Sequence, residues 1–418
     1  MSTVPLRICG LAGMLLISMT ACSPGQRSLP PEGNVYELEG ERFFVQVVAR
    51  DLVVPWALAW PGDGRILVTQ RPGQLSAIDP ATGLVSLISD VPHVDAVGEG
   101  GLMSMAPSPQ FAKDRFIYLS YVAKLDGRSR NRIVRFTLDD GGLKESKVLV
   151  DDIPSHDYHD GLPLKFGPDG KLYASTGDAG KRAKAQDKES LLGKFLRMNG
   201  DGSIPADNPF PGSPIWSLGH RNCQGFDWQH DSGVLIATEH GPSLGAEPWS
   251  GGDELNWILP GMNYGWPTYR NEIFANKEGF MDPLKVWGDP AIAPAGAAFY
   301  SGDKFPKWKG KFFFAALRGE ALLCATLDIK MQPEGKDGKP AGVKVVGVSE
   351  GLKGVFGRLR AVAQGPDGYL YLTTSNRDKR GSKHIGDDLV LRLVPIGEKA
   401  GRPDAEGPDT GRPGTGGP

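Results

Sequence analysis

The chain has 418 residues, of which 57 are glycine and 34 proline, and its formal net charge is −2. Gly and Pro together make about 22%, above the roughly 12% of average proteins, but no Gly-X-Y period runs through them, so a collagen-like chain is excluded. With 40% hydrophobic and 23% charged residues, neither a wholly disordered chain nor a broadly basic nucleic-acid binder fits. Frequent Gly and Pro punctuation favours short strands joined by turns, an all-β class.

Residues 1–21 read as an export signal. Arg7 is the only charge before residue 27, and the apolar stretch 8–19 is too short to span a membrane. It ends in Met19-Thr20-Ala21-Cys22, which resembles the lipobox of bacterial lipoproteins, with Met19 where Leu is usual. Cys22 would then carry lipid and become the mature N-terminus. An ordinary cleaved signal is the alternative. The expected location is the periplasm or cell envelope, with membrane contact only through that lipid. Residues 22–35 are polar and Pro-rich, a tether.

Residues 36–395 contain a repeated unit, a Pro/Gly turn feeding a short apolar strand. Trp60-Pro61-Gly62-Asp63-Gly64 is the first copy, and Ala106-Pro107-Ser108 opens the second. Phe166-Gly167-Pro168-Asp169-Gly170 is the clearest. Copies near Gln229, Ser301 and Pro366 come at intervals of 46 to 72 residues. Pro fixes φ and Gly supplies positive φ in such turns. Six copies with room for four strands each predict a six-bladed β-propeller. Residues 188–197 are the one stretch expected to make about two helical turns. Residues 396–418 are rich in Gly and Pro and predict a disordered tail.

Several motifs bear on chemistry. His156 and His159 lack the partners of a zinc site. His159 precedes a repeat turn and Asp178 ends the strand after it, a pairing suited to a general base, or to a structural histidine. Gly219-His220-Arg221-Asn222-Cys223-Gln224-Gly225 sets Arg, Asn and Gln between glycines. Arg358 and Arg360, two apart, share a face in a strand. Three arginines aimed at one pocket suggest a polyanionic ligand; ordinary surface pairing is the other reading. The segments Glu239-His240-Gly241-Pro242, Asp253-Glu254 and Asn263-Tyr264-Gly265-Trp266 are dense in the oxygen donors that Ca²⁺ prefers. Gly241-Pro242-Ser243-Leu244-Gly245 matches a G-x-S-x-G pattern, but Ala246-Glu247-Pro248-Trp249-Ser250-Gly251-Gly252 cannot form the helix that a nucleophile elbow needs next. Of the cysteines left after export, Cys223 and Cys324 are expected as buried free thiols, although a disulfide is permitted.

Taken together, these segments resemble the PQQ-dependent soluble glucose/sorbosone dehydrogenases, also called aldose sugar dehydrogenases. The likeness runs over about residues 42–394 and implies a six-bladed propeller. By this resemblance His159 is the general base, Asp178 orients it, and Arg221 contacts the quinone carbonyl. Asn222, Arg318, Arg358, Arg360 and Glu99 would surround PQQ. Gly241, Pro242, Asp253, Glu254 and Tyr264 would build a Ca²⁺ site. The implied reaction is oxidation of an aldose at C1 to a lactone, with electrons leaving to an external acceptor. The chain departs from the family pattern at Tyr158, where some members have Asp, at Cys223, where Pro is usual, and at Arg318, where Lys is common. A non-catalytic ligand-binding propeller would lack a His, Arg or calcium residue that is present here. A Ca²⁺-dependent lactonase-like propeller would work without PQQ.

Overall fold

The computed structural model describes residues 28–31, 33–242, 251–269, 279–331 and 340–398. The export signal, Cys22 and residues 399–418 of the expected tail lie outside the described residues. Six antiparallel sheets are present. Their innermost strands are Pro55–Ala59, Leu102–Pro107, Gly161–Phe166, Cys223–Trp228, Pro294–Phe299 and Leu359–Gln364. Each packs against the next, and Leu359–Gln364 packs against Pro55–Ala59, which closes the ring as the expected six-bladed propeller.

Closure uses both ends of the fold. Glu41–Ala49 pairs with Val390–Pro395, and Val35–Leu38 pairs with Glu41–Ala49, so the sixth blade has five strands from both ends of the chain. Val35, assigned to the tether, therefore begins a strand. Phe43 is fully buried there, edge-on to Trp308 at 5.5 Å and Phe305 at 6.3 Å in the fifth blade. Trp308 Nε1 donates to the Leu38 carbonyl at 2.9 Å.

The second strand of each blade lies between neighbouring sheets, so it is buried on both faces. Leu172–Thr176 and Phe312–Ala316 are buried at every position, which explains their unbroken apolar runs. The repeat turns join each innermost strand to its second strand. In Gly167-Pro168-Asp169-Gly170 the Asp169 carboxylate accepts the Lys171 N–H at 3.1 Å and the Tyr173 hydroxyl at 3.0 Å. Asp367 repeats this with Tyr369 and Tyr371. Gly170 (φ 71°) and Gly368 (φ 81°) take the left-handed conformation such turns need.

All six innermost strands show a register shift near their first residues, as between Gly161 and Leu164 and between Leu359 and Val362. Bulges re-aim side chains and are common beside functional sites. The turns therefore lie at one end of the ring and the bulges at the other.

The expected helix over 188–197 is absent. Arg182–Ala185 forms a short 3-10 turn, Gly193 takes φ 64°, and Lys194–Met198 is a fully buried strand paired with Leu172–Thr176. Tertiary pairing overrides a modest helical propensity here. Cys223 and Cys324 are both buried and free. Replacing Phe43 with Ala removes a fully buried ring that packs the N-terminal strand against the fifth blade. We expect a loss of about 3–5 kcal/mol, read as a lower urea midpoint; an unchanged midpoint would show that the ring does not depend on this contact.

Candidate active site

The bulged end of the propeller is built from the connections that enter the innermost strands and those that leave the second strands. They enclose a cavity of about 620 Å³ lined by Glu99, His159, Arg221, Arg318, Arg358 and Arg360 among others. Every residue expected around the cofactor except Asn222 lines this cavity, and Asn222 is buried between Arg221 and Gln224, which also line it.

His159 stands just before Gly161–Phe166 with φ 63°. That backbone brings its carbonyl against Gly177, where a Cβ would lie 1.9 Å away, so only glycine fits. Asp178, fully buried, meets His159 Nδ1 with Oδ1 at 2.7 Å. The same carboxylate accepts the Gly180 N–H at 2.9 Å and Trp266 Nε1–H at 2.9 Å. Burial alone would raise the Asp178 pKa, but its bond to His159 and the nearby positive charge outweigh that and lower it. Burial lowers the pKa of His159, Asp178 pulls it back up, and Arg221 pushes it down again; the net is downward. His159 is thus a neutral imidazole near pH 7 with Nδ1–H held by a carboxylate, leaving Nε2 as the basic nitrogen. Glu99 accepts the His159 N–H at 3.1 Å and pairs with Arg380. Although burial opposes it, the Arg380 charge holds the Glu99 pKa down at about 2.

The opposite wall is cationic. Arg360 is buried, stacks over Trp56 at 5.5 Å and donates to Gln224 Oε1 at 3.3 Å; burial lowers its pKa to about 10. Arg358 is tied to Asp378 at 2.9 Å and to the Leu317 carbonyl at 3.2 Å. Arg221 donates to the His240 carbonyl at 2.9 Å and lies over Trp266 at 5.3 Å. Arg318 projects from the exposed rim. Among the described residues, Arg221 Nε, Asn222 Nδ2 and His240 Nε2 are buried polar atoms without a partner. Burial brings the His240 pKa down to about 3, so it too is neutral. Buried polar groups are normally paired. Unpaired donors among buried arginines call for a polar, negatively charged occupant.

Beside Arg221 and His240 lies a small hollow lined by Glu239, Gly241, Pro242, Glu254 and Tyr264. Burial and the neighbouring Glu239 raise the Glu254 pKa to about 8. Asn256 Nδ2 bridges the two carboxylates at 3.1 and 3.0 Å. Two crowded carboxylates and backbone carbonyls suit a hard divalent cation such as Ca²⁺. Two expected ligands sit differently. Asp253 accepts the N–H groups of Gly241, Ile292 and Ala293 at 2.8, 2.6 and 2.8 Å, so it braces the loops behind the hollow. The Tyr264 hydroxyl turns away to the Trp257 carbonyl and the Leu259 N–H, leaving its ring as a wall stacked on His220 at 4.5 Å.

Arg182 and Arg380 also line the cavity and carried no sequence signal, because their loops reach it only through ring closure. His240, Gln224 and Trp266 stood in recognised motifs but had no assigned role. His156 does not join His159 in a metal set; its ring packs edge-on to Tyr158 at 4.3 Å. Ser243 to Gly245 of the G-x-S-x-G run lie outside the described residues.

Residues 52–385 match the family model described as Glucose / Sorbosone dehydrogenase. The aldose sugar dehydrogenase YliI of Escherichia coli is 35% identical over 356 residues, covering 79% of this chain and 89% of that protein. The quinoprotein glucose dehydrogenase B of Acinetobacter calcoaceticus is 34% identical over 67% of this chain and 65% of its own length. Among solved structures, the PQQ-bound aldose sugar dehydrogenase of Streptomyces coelicolor is 38% identical, with a TM-score of 0.71 over 84% of this chain and 97% of that one.

Asp178→Asn removes the carboxylate that raises the His159 pKa, so that pKa should fall further. Histidine Cε1 resonances followed by NMR from pH 4 to 8 measure this. A His159 midpoint that stays put or rises would show that Asp178 does not control the imidazole.

Proposed function

The chain belongs to the glucose/sorbosone dehydrogenase family, and on that premise we propose that it oxidises aldose sugars at C1 to lactones with PQQ as the electron-accepting cofactor and Ca²⁺ assisting. The observation that carries this reading is the neutral His159–Asp178 pair facing a cavity whose buried arginines and unpaired donors await an anion. Bound there, PQQ would supply a quinone able to take the hydride from sugar C1, and Ca²⁺ would supply Lewis acidity at its carbonyl.

The protein's own residues supply the rest. Arg358, Arg360 and Arg318 would hold the carboxylates of the cofactor, and Arg360 is pre-set by its bonds to Gln224 and Ser375. Arg221, with Asn222 packed behind it, would face the ring system of the bound cofactor. Gly241, Pro242 and Glu254 would hold the cation, with Asp253 fixing the loop behind them. His159 Nε2 takes the proton from the anomeric hydroxyl as the C1–H bond breaks, and Asp178 stabilises the resulting imidazolium. Trp266 and Gly180 keep Asp178 from turning. Tyr158 and Arg318 in the cavity lining are exposed to solvent, which fits release of electrons to an external acceptor. Export and a lipid on Cys22 complete the proposal by placing the enzyme at the cell envelope.

Adding PQQ and Ca²⁺ to the purified apoprotein should produce aldose-dependent dye reduction, and chelation with EDTA should abolish it. Absence of both PQQ binding and dye reduction would refute the enzyme reading. His159→Ala should keep PQQ, seen by its absorbance, while turnover falls by about 10²–10⁴. Undiminished turnover would remove His159 from the base role.

A further inference from the structure

The third blade holds a buried lysine that touches neither the cavity nor the metal hollow. Lys194 is fully buried at the start of its strand. Its Nζ donates to three backbone carbonyls, Lys184 at 2.8 Å, Ala185 at 3.0 Å and Leu192 at 2.7 Å. No described carboxylate pairs with it; Asp187, the nearest acidic influence, is bonded to the Lys184 side chain. Burial pulls the Lys194 pKa down to about 7, but three acceptors at 3.0 Å or less are satisfied together only by the three N–H bonds of the charged ammonium, so the carbonyl cage favours that form. A buried charge of this kind is costly, so the carbonyls it gathers are informative.

All three belong to the segment between Leu172–Thr176 and Lys194–Met198, which also carries Asp178 and Gly180. Two of them end the 3-10 turn Arg182–Ala185 and the third sits where the chain returns. The same segment docks on the loop bearing Trp266. Gln186 Nε2 donates to Asn263 Oδ1 at 3.0 Å and to the Trp266 carbonyl at 2.6 Å, and Asn263 Nδ2 returns a bond to Gln186 at 2.7 Å. Trp266 in turn holds Asp178.

We infer that the Lys194 ammonium acts as a built-in cation that folds this segment around itself and so positions Asp178 and Trp266 to orient His159. It is a positioning residue, not a catalytic one, and its effect on turnover rests on the function proposed above. Lys194 does for the base what Ca²⁺ is proposed to do for the cofactor, gathering backbone oxygens around a positive charge.

The test uses Lys194→Met, which keeps the stem and removes the charge, and Lys194→Ala, which leaves space. In cofactor-free protein, the downfield Nδ1–H resonance of His159 reports its bond to Asp178. Lys194→Met should lose or broaden that resonance. With PQQ and Ca²⁺ its kcat should fall about 10- to 100-fold, with PQQ still bound and the sugar KM little changed. Lys194→Ala should regain activity in potassium or n-butylammonium chloride but not in lithium chloride, a rescue that a general loss of stability would not show. An intact His159 resonance with unchanged kcat in Lys194→Met overturns the inference, and so does a Lys194→Ala defect indifferent to the added cation. Should neither variant fold, hydrogen exchange in the unaltered protein decides. Amides of residues 180–193 should be protected as well as those of Lys194–Met198, and free exchange there overturns the inference. A wild-type protein that binds no PQQ would sink the proposed function, while the resonance in cofactor-free protein would still judge the lysine.

Discussion

Six sheets can close into a ring only if their innermost strands converge on one axis, and that convergence decides where everything else lies. At one end the strands leave through tight Asp-braced turns. At the other they enter through bulges, and residues separated by hundreds of positions in sequence meet around one cavity. His159 and Arg360 belong to different blades, yet both face it. The site is thus a consequence of closure, and closure depends on the N-terminal strands that complete the sixth blade.

The electrostatics of the cavity arise from the same geometry. Convergence buries Arg358 and Arg360 and half-buries Arg221 where water cannot fully solvate them, and among the described residues only Arg358 of the three forms an ion pair with a carboxylate. Burial that lowers the pKa of Arg360 also lowers that of His159. One environment therefore makes an anion-seeking wall and keeps the facing imidazole neutral. In the adjoining hollow the imbalance is reversed, because Glu239 and Glu254 crowd together. An anionic quinone and a divalent cation bound side by side would relieve both strains at once.

The propeller was legible in the sequence because its turns are local. Gly167-Pro168-Asp169-Gly170 encodes its bend within five residues and repeats along the chain. The pairing of His159 with Asp178 was legible for a similar reason, since one hairpin brings them together. The Pro/Gly turns lie at the end of the ring away from the cavity, whereas Gly177 packs against the His159 carbonyl at the site. The strand Lys194–Met198 was misread as helix because its identity depends on neighbours 18 and 24 residues away in the sheet, Thr176 and Leu218. Arg182, Arg380 and the trio of carbonyls around Lys194 had no local signature. The resemblance places Asp253 and Tyr264 at the metal; the Asp253 carboxylate braces the loops behind the hollow, and Tyr264 lines the hollow with its hydroxyl turned away.

If the cationic wall is built for an anionic quinone, PQQ binding must depend on the charge of that wall. Calorimetric titration of PQQ into Ca²⁺-loaded protein measures this without reference to any sugar. Saturable binding of one PQQ per chain is expected, weakened when Arg360 is replaced by Gln, which keeps polarity and removes charge. Absence of saturable binding, or binding indifferent to the charge at Arg360, would contradict it.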